Sequence, residues 1–311
     1  MRTAFIKALT DLAETDNRIW LVTGDLGFSV LEEFASRFPD RYLNVGVAEQ
    51  NMTGVAAGLA MSGKIVFTYS IANFPTLRCL EQVRNDVCYH NANVKIVAVG
   101  GGLAYGAQGY THHAIEDLAI LRALPNIRVI APGDPAETRA AVMAIVNTPG
   151  PCYLRLGKAG EPVVHDRPPE FSEGKAILMR NGNRAALLST GAMLKAAVTA
   201  IDLCAEQGRE IALYSFPWIK PLDEELIQSL AASVPLLITL EEGRSAGGFG
   251  GAVAEIVAAL PAARARVLRL GFDDEWIATT LLSRVHTQDS ARAALGLDGA
   301  SLAQRLVQEL S

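Results

Sequence analysis

Short, almost wholly apolar segments alternate with amphipathic segments along this chain, and that alternation limits its fold more than any other feature. Helical spacing of apolar residues appears between them, for example at 48–61, 76–90 and 134–146. The apolar segments have the length and β-branched composition of buried strands and lie at 19–24, 64–70, 94–100, 127–133, 151–156, 185–190, 211–216, 235–242 and 267–271. Buried strands separated by helices predict an α/β protein whose mainly parallel sheets are covered by helices on both faces.

A break near the middle of the chain divides this alternation in two. Residues 157–183 are rich in Gly, Pro and charged side chains, which is typical of a linker. We therefore predict a first domain at 1–160, a linker at 161–183 and a second domain at 184–311. The chain has 311 residues, half of them hydrophobic, so each domain can bury a core of its own.

Charge and cysteine usage exclude several classes of function. A formal net charge of -5, without any run of Lys or Arg, argues against nucleic acid or an anionic membrane as the partner. No stretch approaches the roughly 20 apolar residues of a membrane span, and acids within the first sixteen residues predict an amphipathic helix rather than a signal peptide. The isolated cysteines lack zinc-site spacing, and we expect reduced core residues in a cytoplasmic protein at Cys79, Cys88, Cys152 and Cys204.

Three polar segments follow neighbouring strands of the first domain. The first, NVGVAEQNMTGVAAGLAMSG, places Glu49 in the first turn of a helix, where the helix dipole favours a carboxylate, although an acid is also ordinary there. The second reads YSIANFPTLRCLEQVRND, and the third is the glycine-rich GGGLAYGAQGYTHHAIED. Because the carboxyl ends of parallel strands meet at one edge of a sheet, we expect all three segments to form one ligand site.

The third segment has two further interpretations. Its glycines do not give the G-x-G-x-x-G spacing of a dinucleotide loop, so that interpretation is weak. The adjacent pair His112 and His113 is compatible with a metal site, but adjacent side chains diverge and no third ligand is in evidence. We therefore predict no metal site formed by this chain alone.

Together the three segments resemble the transketolase family, with G-V-A-E-Q-N-M and G-x-T-H-x-x-I-E-D as specific motifs and L-R-L-G as a weaker one. The resemblance covers nearly the whole chain, as a pyrimidine-binding domain, a linker and a C-terminal domain. It implies a thiamine-diphosphate enzyme that moves a two-carbon ketol unit from a ketose to an aldose. The family's G-D-G motif, which binds Mg²⁺ and the diphosphate, does not occur in this chain. The resemblance therefore implies a separate N-terminal-half subunit and an α2β2 heterotetramer.

The resemblance also assigns cofactor-binding residues. Glu49 matches the acid that hydrogen-bonds N1′ of the aminopyrimidine, so that the cofactor's own 4′-imino group can take the C2 proton. Phe74 matches the aromatic residue that packs on the pyrimidine ring, and Asp25 matches an acid near the cofactor. Ile71 and Leu77 stand where many members have further aromatics, which implies a thinner ring stack.

Substrate-binding residues follow from the same resemblance. His112 matches a histidine that reaches substrate oxygens and assists proton transfer from the donor hydroxyl, so it is a catalytic candidate beside Glu49. Three residues match positions at the sugar-phosphate end, where arginine suits phosphate: Arg2, Ser29 and Arg155.

Two departures from the family pattern concern the substrate. Gln108 stands where the family usually has an Asp that reads a sugar hydroxyl, and Gly100 stands where it has a histidine. We expect Gly100 to leave space and Gln108 to shift hydroxyl recognition. These changes predict a branched, deoxy or otherwise modified sugar that still carries an anionic group.

Three alternatives share some of these features. The β subunit of a 2-oxoacid dehydrogenase has a similar architecture and cofactor acid, but the T-H-H-A-I-E-D segment favours transketolase. Half of a deoxyxylulose-phosphate synthase is less expected, because that enzyme is normally one longer chain. A catalytically silent regulatory subunit would not need Glu49 and His112.

Overall fold

A computed structural model describes residues 1–262, 265–277 and 287–310 of the chain. These residues form two mainly parallel sheets flanked by helices, which confirms the predicted α/β fold. The strands are β1 Ile19–Thr23, β2 Tyr42–Asn44, β3 Ile65–Ile71, β4 Val94–Val99, β5 Arg128–Ile130, β6 Cys152–Leu156, β7 Ile177–Arg180, β8 Ala185–Ser189, β9 Ile211–Ser215, β10 Trp218–Lys220, β11 Leu236–Arg244 and β12 Arg266–Phe272.

The helices lie mostly between these strands, as the alternation predicts. They are α1 Arg2–Ala13, α2 Glu32–Arg37, α3 Glu49–Met61, α4 Leu80–Gln82, α5 Asp117–Arg122, α6 Pro135–Val146, α7 Leu194–Glu206, α8 Glu224–Ser233, α9 Phe249–Ala258, α10 Gln288–Ala294 and α11 Gly299–Glu309. Helix α4 continues directly as a π-helix at Val83–Tyr89, and short 3₁₀ turns lie at Pro39–Arg41, Gly106–Gln108 and Gly191–Met193.

The first sheet has seven strands in the order β10-β5-β6-β4-β3-β1-β2. All neighbours are parallel except β10, which runs antiparallel to β5. All of β4 and nearly all of β3 are buried, because apolar clusters cover both faces. Helix α3 packs on one face through Met52 and Ala56, while α1 packs on the other through Phe5 and Leu9. This arrangement brings the carboxyl ends of β1 to β4 to one edge of the sheet.

The second sheet has five strands in the order β12-β11-β8-β9-β7, with β7 antiparallel to β9. One apolar cluster contains Met52 of α3 together with Leu188 of β8, Phe216 and Phe249. The cores of the two domains are therefore continuous where the sheets approach each other.

Strands cross the predicted domain boundaries in two places. β7 lies within the predicted linker and forms an edge of the second sheet. β10 follows β9 in the chain, yet it pairs with β5 of the first sheet, where Trp218 lies opposite Ile130. The two domains are therefore interlocked by main-chain pairing.

Two predictions about particular segments have a direct structural outcome. The predicted amphipathic helix at the amino end is α1, and its apolar face is buried. The four cysteines are free and buried. Across the ranges that the structure describes, no helix has the length and apolar character needed to cross a membrane.

Candidate functional site

The carboxylate of Glu49 lies almost fully buried at the amino end of α3. Its side chain is 2% exposed, and Oε2 lies 2.7 Å from a guanidinium nitrogen of Arg78, which is 46% exposed. Gly24, directly after β1, leaves room for the acid, since a Cβ there would lie 3.4 Å from Cγ of Glu49. The amino end of α3 and the Arg78 guanidinium both interact favourably with a carboxylate in this position.

Asn44, at the end of β2, organises the loop beside this acid. Its side-chain oxygen accepts hydrogen bonds from the backbone N–H groups of Asp25 and Gly46, each at 3.0 Å. Its amide nitrogen donates to the Asp25 carboxylate at 2.9 Å. Asp25 has a φ of +57°, a conformation that Asp tolerates better than most residues. Asp25 is exposed beside the Glu49 pocket, with its carboxylate oriented by Asn44.

A row of side chains extends from Glu49 along the edge of the sheet. It begins with the Arg78 guanidinium and continues with three rings. The guanidinium carbon of Arg78 lies 4.4 Å from the centre of the Phe74 ring. The Phe74 ring meets His112 edge-on, with centroids 5.3 Å apart, and the next ring is Tyr105, 6.4 Å from His112. The segments predicted to meet therefore do meet, and they bring Glu49, Phe74 and His112 to one site.

The backbone after β3 holds Phe74 in this row. Its N–H donates to the carbonyl of Ile71, the last residue of the strand, at 2.8 Å. The Asn73 side chain donates to the carbonyl oxygens of Thr111 and His113, at 3.3 and 2.5 Å. The histidine segment is thereby tied to the turn that carries Phe74, and Ile71, at the end of β3, is half-buried.

His112 is suited to act as a neutral imidazole. Burial, and then the neighbouring charge of His113, hold the pKa of His112 below its usual range. Its Nδ1 lies 2.9 Å from the Thr111 hydroxyl. His113 points elsewhere, because its Nε2 lies 3.3 Å from the carbonyl of Gly106 and its side chain is buried. The two histidines therefore diverge.

A metal site is not built from these residues. Within 1–262, 265–277 and 287–310, no group of three or more His, Cys, Asp or Glu side chains is arranged to hold a metal ion.

Glycines of the third segment allow larger side chains to lie against the backbone. A Cβ on Gly101 would lie 2.6 Å from Arg155, and one on Gly102 would lie 2.5 Å from the Glu242 carboxylate.

The expected space at Gly100 is absent, and that expectation is wrong. Gly100 has a φ of +84°, and a Cβ there would lie 2.1 Å from the Tyr105 ring. Tyr105 therefore fills the volume that a side chain at position 100 would need. Burial raises the pKa of Tyr105, and the positive charge of Arg2 offsets only part of this increase. Arg2 has a buried Nε without a hydrogen-bond partner in the part of the chain that the structure describes.

Arg155 is not presented to the cleft as a free phosphate ligand. Its side chain is 5% exposed, and its Nε donates to Oδ2 of Asp117 at 2.8 Å. One Nη donates to the carbonyl oxygens of Ala114 and Glu242, at 2.6 and 2.9 Å. The guanidinium thus joins the histidine segment to the second domain. The sequence alone does not reveal these contacts, because the three partners of Arg155 lie in separate parts of the chain.

Two further residues predicted to bind substrate, Ser29 and Gln108, are exposed. Ser29 is exposed in the turn before α2, with a φ of +60°, and its N–H donates to the Glu32 carboxylate at 2.6 Å. Gln108 is exposed at the end of a 3₁₀ turn in the loop that leads to His112. Gln108 therefore shares a loop with the site, whereas Ser29 lies on the turn after Asp25.

The second domain holds the histidine segment from behind. Ala114 pairs with Gly102 through two backbone hydrogen bonds of 2.7 and 3.0 Å, and the Arg244 N–H donates to the Ile115 carbonyl at 2.8 Å. The Arg244 guanidinium also lies 3.3 Å from the Glu116 carboxylate. The position of His112 consequently depends on β11 as well as on the first sheet.

Glu241 and Glu242 of β11 have structural uses. Glu241 accepts hydrogen bonds from the N–H groups of Phe249 and Gly250 at the start of α9, and burial raises its pKa to about 7. Glu242 forms a two-point pair with Arg292 of α10, at 2.8 and 2.7 Å. Together they tie β11 to the helices on either side.

A cavity of about 470 Å³ opens next to the aromatic row, and its walls are mostly apolar. Its lining includes Phe74, Leu77, Arg78, Tyr110, Glu116 and Trp276.

Arg78 and Tyr105 belong to the row of side chains that begins at Glu49, although neither was singled out from the sequence. The only signal for Arg78 is its place in the same segment as Phe74, following the strand next to the Glu49 helix.

Comparisons with known proteins agree with this geometry. The family model described as "Transketolase, pyrimidine binding domain" matches residues 1–160, and "Transketolase, C-terminal domain" matches residues 174–284. The chain is 36% identical to a putative transketolase C-terminal section from Methanocaldococcus jannaschii, over 100% of this chain and 96% of the relative. It is 39% identical to one of the subunits of an apulose-4-phosphate transketolase from Actinobacillus succinogenes, over 72% of each. A solved split gene transketolase, described as an inactive beta4 tetramer, superimposes with a TM-score of 0.87 at 34% identity, over 99% of this chain and 97% of that one.

Proposed function

Since the chain belongs to the transketolase family, we propose that it is the C-terminal half of a split transketolase. Joined to an N-terminal-half subunit, it would transfer a two-carbon ketol unit between sugar phosphates. The observation that carries this proposal is the buried Glu49 carboxylate at the start of α3, in one row with Phe74 and His112.

The residues of this row fit thiamine diphosphate, which when bound supplies a carbon acid at C2 of its thiazolium ring. Glu49 would hold the proton shared with N1′, through a short charge-assisted hydrogen bond in a site from which water is excluded. Phe74 would pack against the aminopyrimidine, with Ile71 behind it and Asp25 at the open side. The fit rests on a nearly buried acid whose partner, the Arg78 guanidinium, lies over the aromatic face of Phe74.

His112 would act on the substrate. A neutral imidazole can accept the proton of a sugar hydroxyl and return it, and the lowered pKa of His112 keeps the ring neutral near pH 7. Asn73 and the second domain fix the segment that carries it. Arg155 would help to position this segment, because its guanidinium is bound to Asp117 and to backbone carbonyls. We therefore propose that Arg2 and Ser29 bind the anionic end of the substrate.

An N-terminal-half partner would supply the Mg²⁺ and diphosphate site. The described part of this chain offers no metal-binding cluster, and the solved split-gene neighbour, made of beta chains, is described as inactive. We propose an α2β2 heterotetramer in the cytoplasm, with each cofactor held between the two kinds of chain.

The substrate is proposed to be a modified sugar phosphate. Gln108, exposed on the histidine loop, replaces a carboxylate by an amide that both accepts and donates hydrogen bonds. The relative from Actinobacillus succinogenes is named for apulose 4-phosphate, which is not a standard pentose-phosphate-pathway sugar, and its similarity supports this proposal.

The test is reconstitution with the N-terminal-half chain, thiamine diphosphate and Mg²⁺, followed by assays on ketose phosphates. We expect ketol transfer by the parent complex, and a loss of at least roughly a hundredfold in kcat for Glu49→Gln, with assembly unchanged by size-exclusion chromatography. Acyl transfer to a lipoyl domain, or condensation of pyruvate with an aldose phosphate, would instead show one of the alternative enzymes.

A further inference from the structure

Arg78 makes both of the contacts that an aminopyrimidine would need at this site. Its guanidinium pairs with the Glu49 carboxylate at 2.7 Å and covers the Phe74 ring at 4.4 Å. Building on the function proposed above, we propose that Arg78 is an internal competitor of the cofactor. It occupies the acid and the aromatic face in the free chain and leaves them when the aminopyrimidine binds.

Glu49 needs a partner for its buried carboxyl group. Its side chain is 2% exposed, and a buried carboxylate without a counter-ion is strongly destabilising. Arg78 provides that counter-ion from the surface side, since it is 46% exposed. In the free chain the buried acid therefore already has a partner before any cofactor arrives.

The shape of the group above Phe74 also matters. A guanidinium is flat, carries N–H donors at its edge and packs well on aromatic faces. An aminopyrimidine protonated at N1′ shares these properties, with a donor directed at the carboxylate. One face of the Phe74 ring accommodates one such planar group, so the two cannot occupy it together.

Arg78 also has somewhere to go. Its backbone lies in the irregular segment between β3 and α4, and its side chain also lines the cavity of about 470 Å³. Glu116, whose carboxylate lies 3.3 Å from Arg244, lines the same cavity. The guanidinium can leave Glu49 without unpacking the core, which a fully buried arginine such as Arg155 could not do.

The main experiment measures thiamine diphosphate affinity in the reconstituted complex, by calorimetry at saturating Mg²⁺. Removing a competitor should tighten binding, so we expect the dissociation constant of Arg78→Met to fall roughly tenfold, the scale of one charge-assisted hydrogen bond. The dissociation constant of Arg78→Lys should lie between those of the parent and of Arg78→Met, because an ammonium keeps the charge but not the flat stacking group. The matched control is Arg84→Met, since Arg84 is exposed and bonds its chain neighbour Asn85 at 2.7 Å. Unchanged or weaker binding by Arg78→Met would overturn the proposal and show that the arginine remains in place and assists the cofactor.

A second measurement uses the full chain without partner or cofactor. Urea unfolding of Arg78→Met should show a lower midpoint than the parent, because Glu49 loses its counter-ion. The same substitution in a Glu49→Gln background should cost much less, since a neutral amide needs none. If Arg78→Met shifts the midpoint equally in both backgrounds, the ion pair is not what holds Arg78 over Phe74.

Failure of this inference is separable from failure of the proposed function. A parent complex that binds thiamine diphosphate and transfers ketol units, while Arg78→Met binds the cofactor no more tightly, contradicts only the competitor role. A complex that does not bind thiamine diphosphate at all contradicts the proposed function first.

Discussion

Gln108 provides a prediction at the scale of one residue. Exposed on the loop that leads to His112, its amide donates as well as accepts hydrogen bonds, whereas an Asp would only accept. In the reconstituted complex we expect Gln108→Asp to shift the ratio of kcat/KM values toward xylulose 5-phosphate by roughly tenfold relative to a branched ketose phosphate. The control is Gln228→Glu, an exposed substitution on α8. A ratio unchanged by Gln108→Asp would mean that Gln108 does not read the substrate.

Gly100 leads to a second residue-scale prediction. The Tyr105 ring lies where a Cβ at position 100 would be, and the φ of +84° disfavours any side chain there. We expect Gly100→Ala to destabilise the isolated chain by about 1 to 3 kcal/mol in urea unfolding. Combining it with Tyr105→Ala should recover part of the loss, because the ring contact is then removed. Equal losses in both backgrounds would assign the whole effect to backbone strain.

These residues show what the sequence could and could not predict about the site. Glu49, Phe74 and His112 were singled out because they match motifs of the transketolase family, and their common position was predictable because their three segments follow neighbouring parallel strands. The filling of Gly100 by Tyr105 and the pairing of Arg155 with Asp117 were not, since both depend on loop paths and on contacts between distant segments.

At the scale of single elements, the start of α6 holds the linker through a buried acid–histidine cluster. Asp134 caps the helix by accepting from the Glu137 N–H at 2.8 Å, and it also accepts from the backbone N–H of His165 at 3.0 Å. The His165 ring lies 3.2 Å from Asp134 and 3.5 Å from Glu137. Glu137 in turn accepts from the Gly133 N–H at 2.6 Å. All three side chains are buried or nearly so.

This cluster should make stability fall as pH rises above neutrality. Burial raises the pKa of Glu137. Burial alone would lower the pKa of His165, but the hydrogen bond to Asp134 and the charges of both acids outweigh it, so the pKa of His165 is raised. The folded state therefore holds more protons than the unfolded state, in which the pKa of His165 is near 6.5. The contribution of His165 is complete below that value and is lost as pH rises through its raised pKa. The contribution of Glu137 has the same sign and is lost as pH rises from 4.5 through its folded pKa of about 7.

We predict that the urea midpoint of the isolated chain falls as pH rises above about 6.5, and that Glu137→Gln flattens this slope. A neutral amide keeps the shape and can still accept from Gly133, but it cannot take up or support the extra proton. The exposed Glu224→Gln, on α8, is the matched control. A slope that Glu137→Gln leaves intact would assign the pH dependence to other groups.

Most elements were predictable, and the exceptions share a physical cause. Strands with continuous apolar sequence, such as β4 and β8, carry their own signal because both faces are buried. The strands that the apolar pattern does not mark, β2, β7 and β10, have three or four residues each and lie at sheet edges. Their pairing is decided by the neighbouring strand rather than by their own composition, as β7 within the predicted linker shows.

At the scale of the whole molecule, cofactor affinity should require the second kind of chain. Glu49 and Phe74 can hold a pyrimidine ring, but the described residues offer no metal-binding cluster for Mg²⁺ and the diphosphate, which carries most of the charge. We expect calorimetry to show binding of thiamine diphosphate to the isolated chain that is weaker by at least roughly a hundredfold than binding to the reconstituted complex. Tight, Mg²⁺-dependent binding by the isolated chain would contradict the split organisation.

The placement of β10 has a consequence for how the protein is made. Trp218 is 1% exposed and packs in the apolar cluster of the first sheet, beside Phe171 at 5.7 Å, although 217 residues precede it in the chain. A nascent chain that has emerged only as far as β6 still presents the edge of β5 unpaired. During translation the first sheet therefore remains unfinished until much of the second has been synthesised, and an edge strand left open for that long is a site for unwanted pairing with other chains.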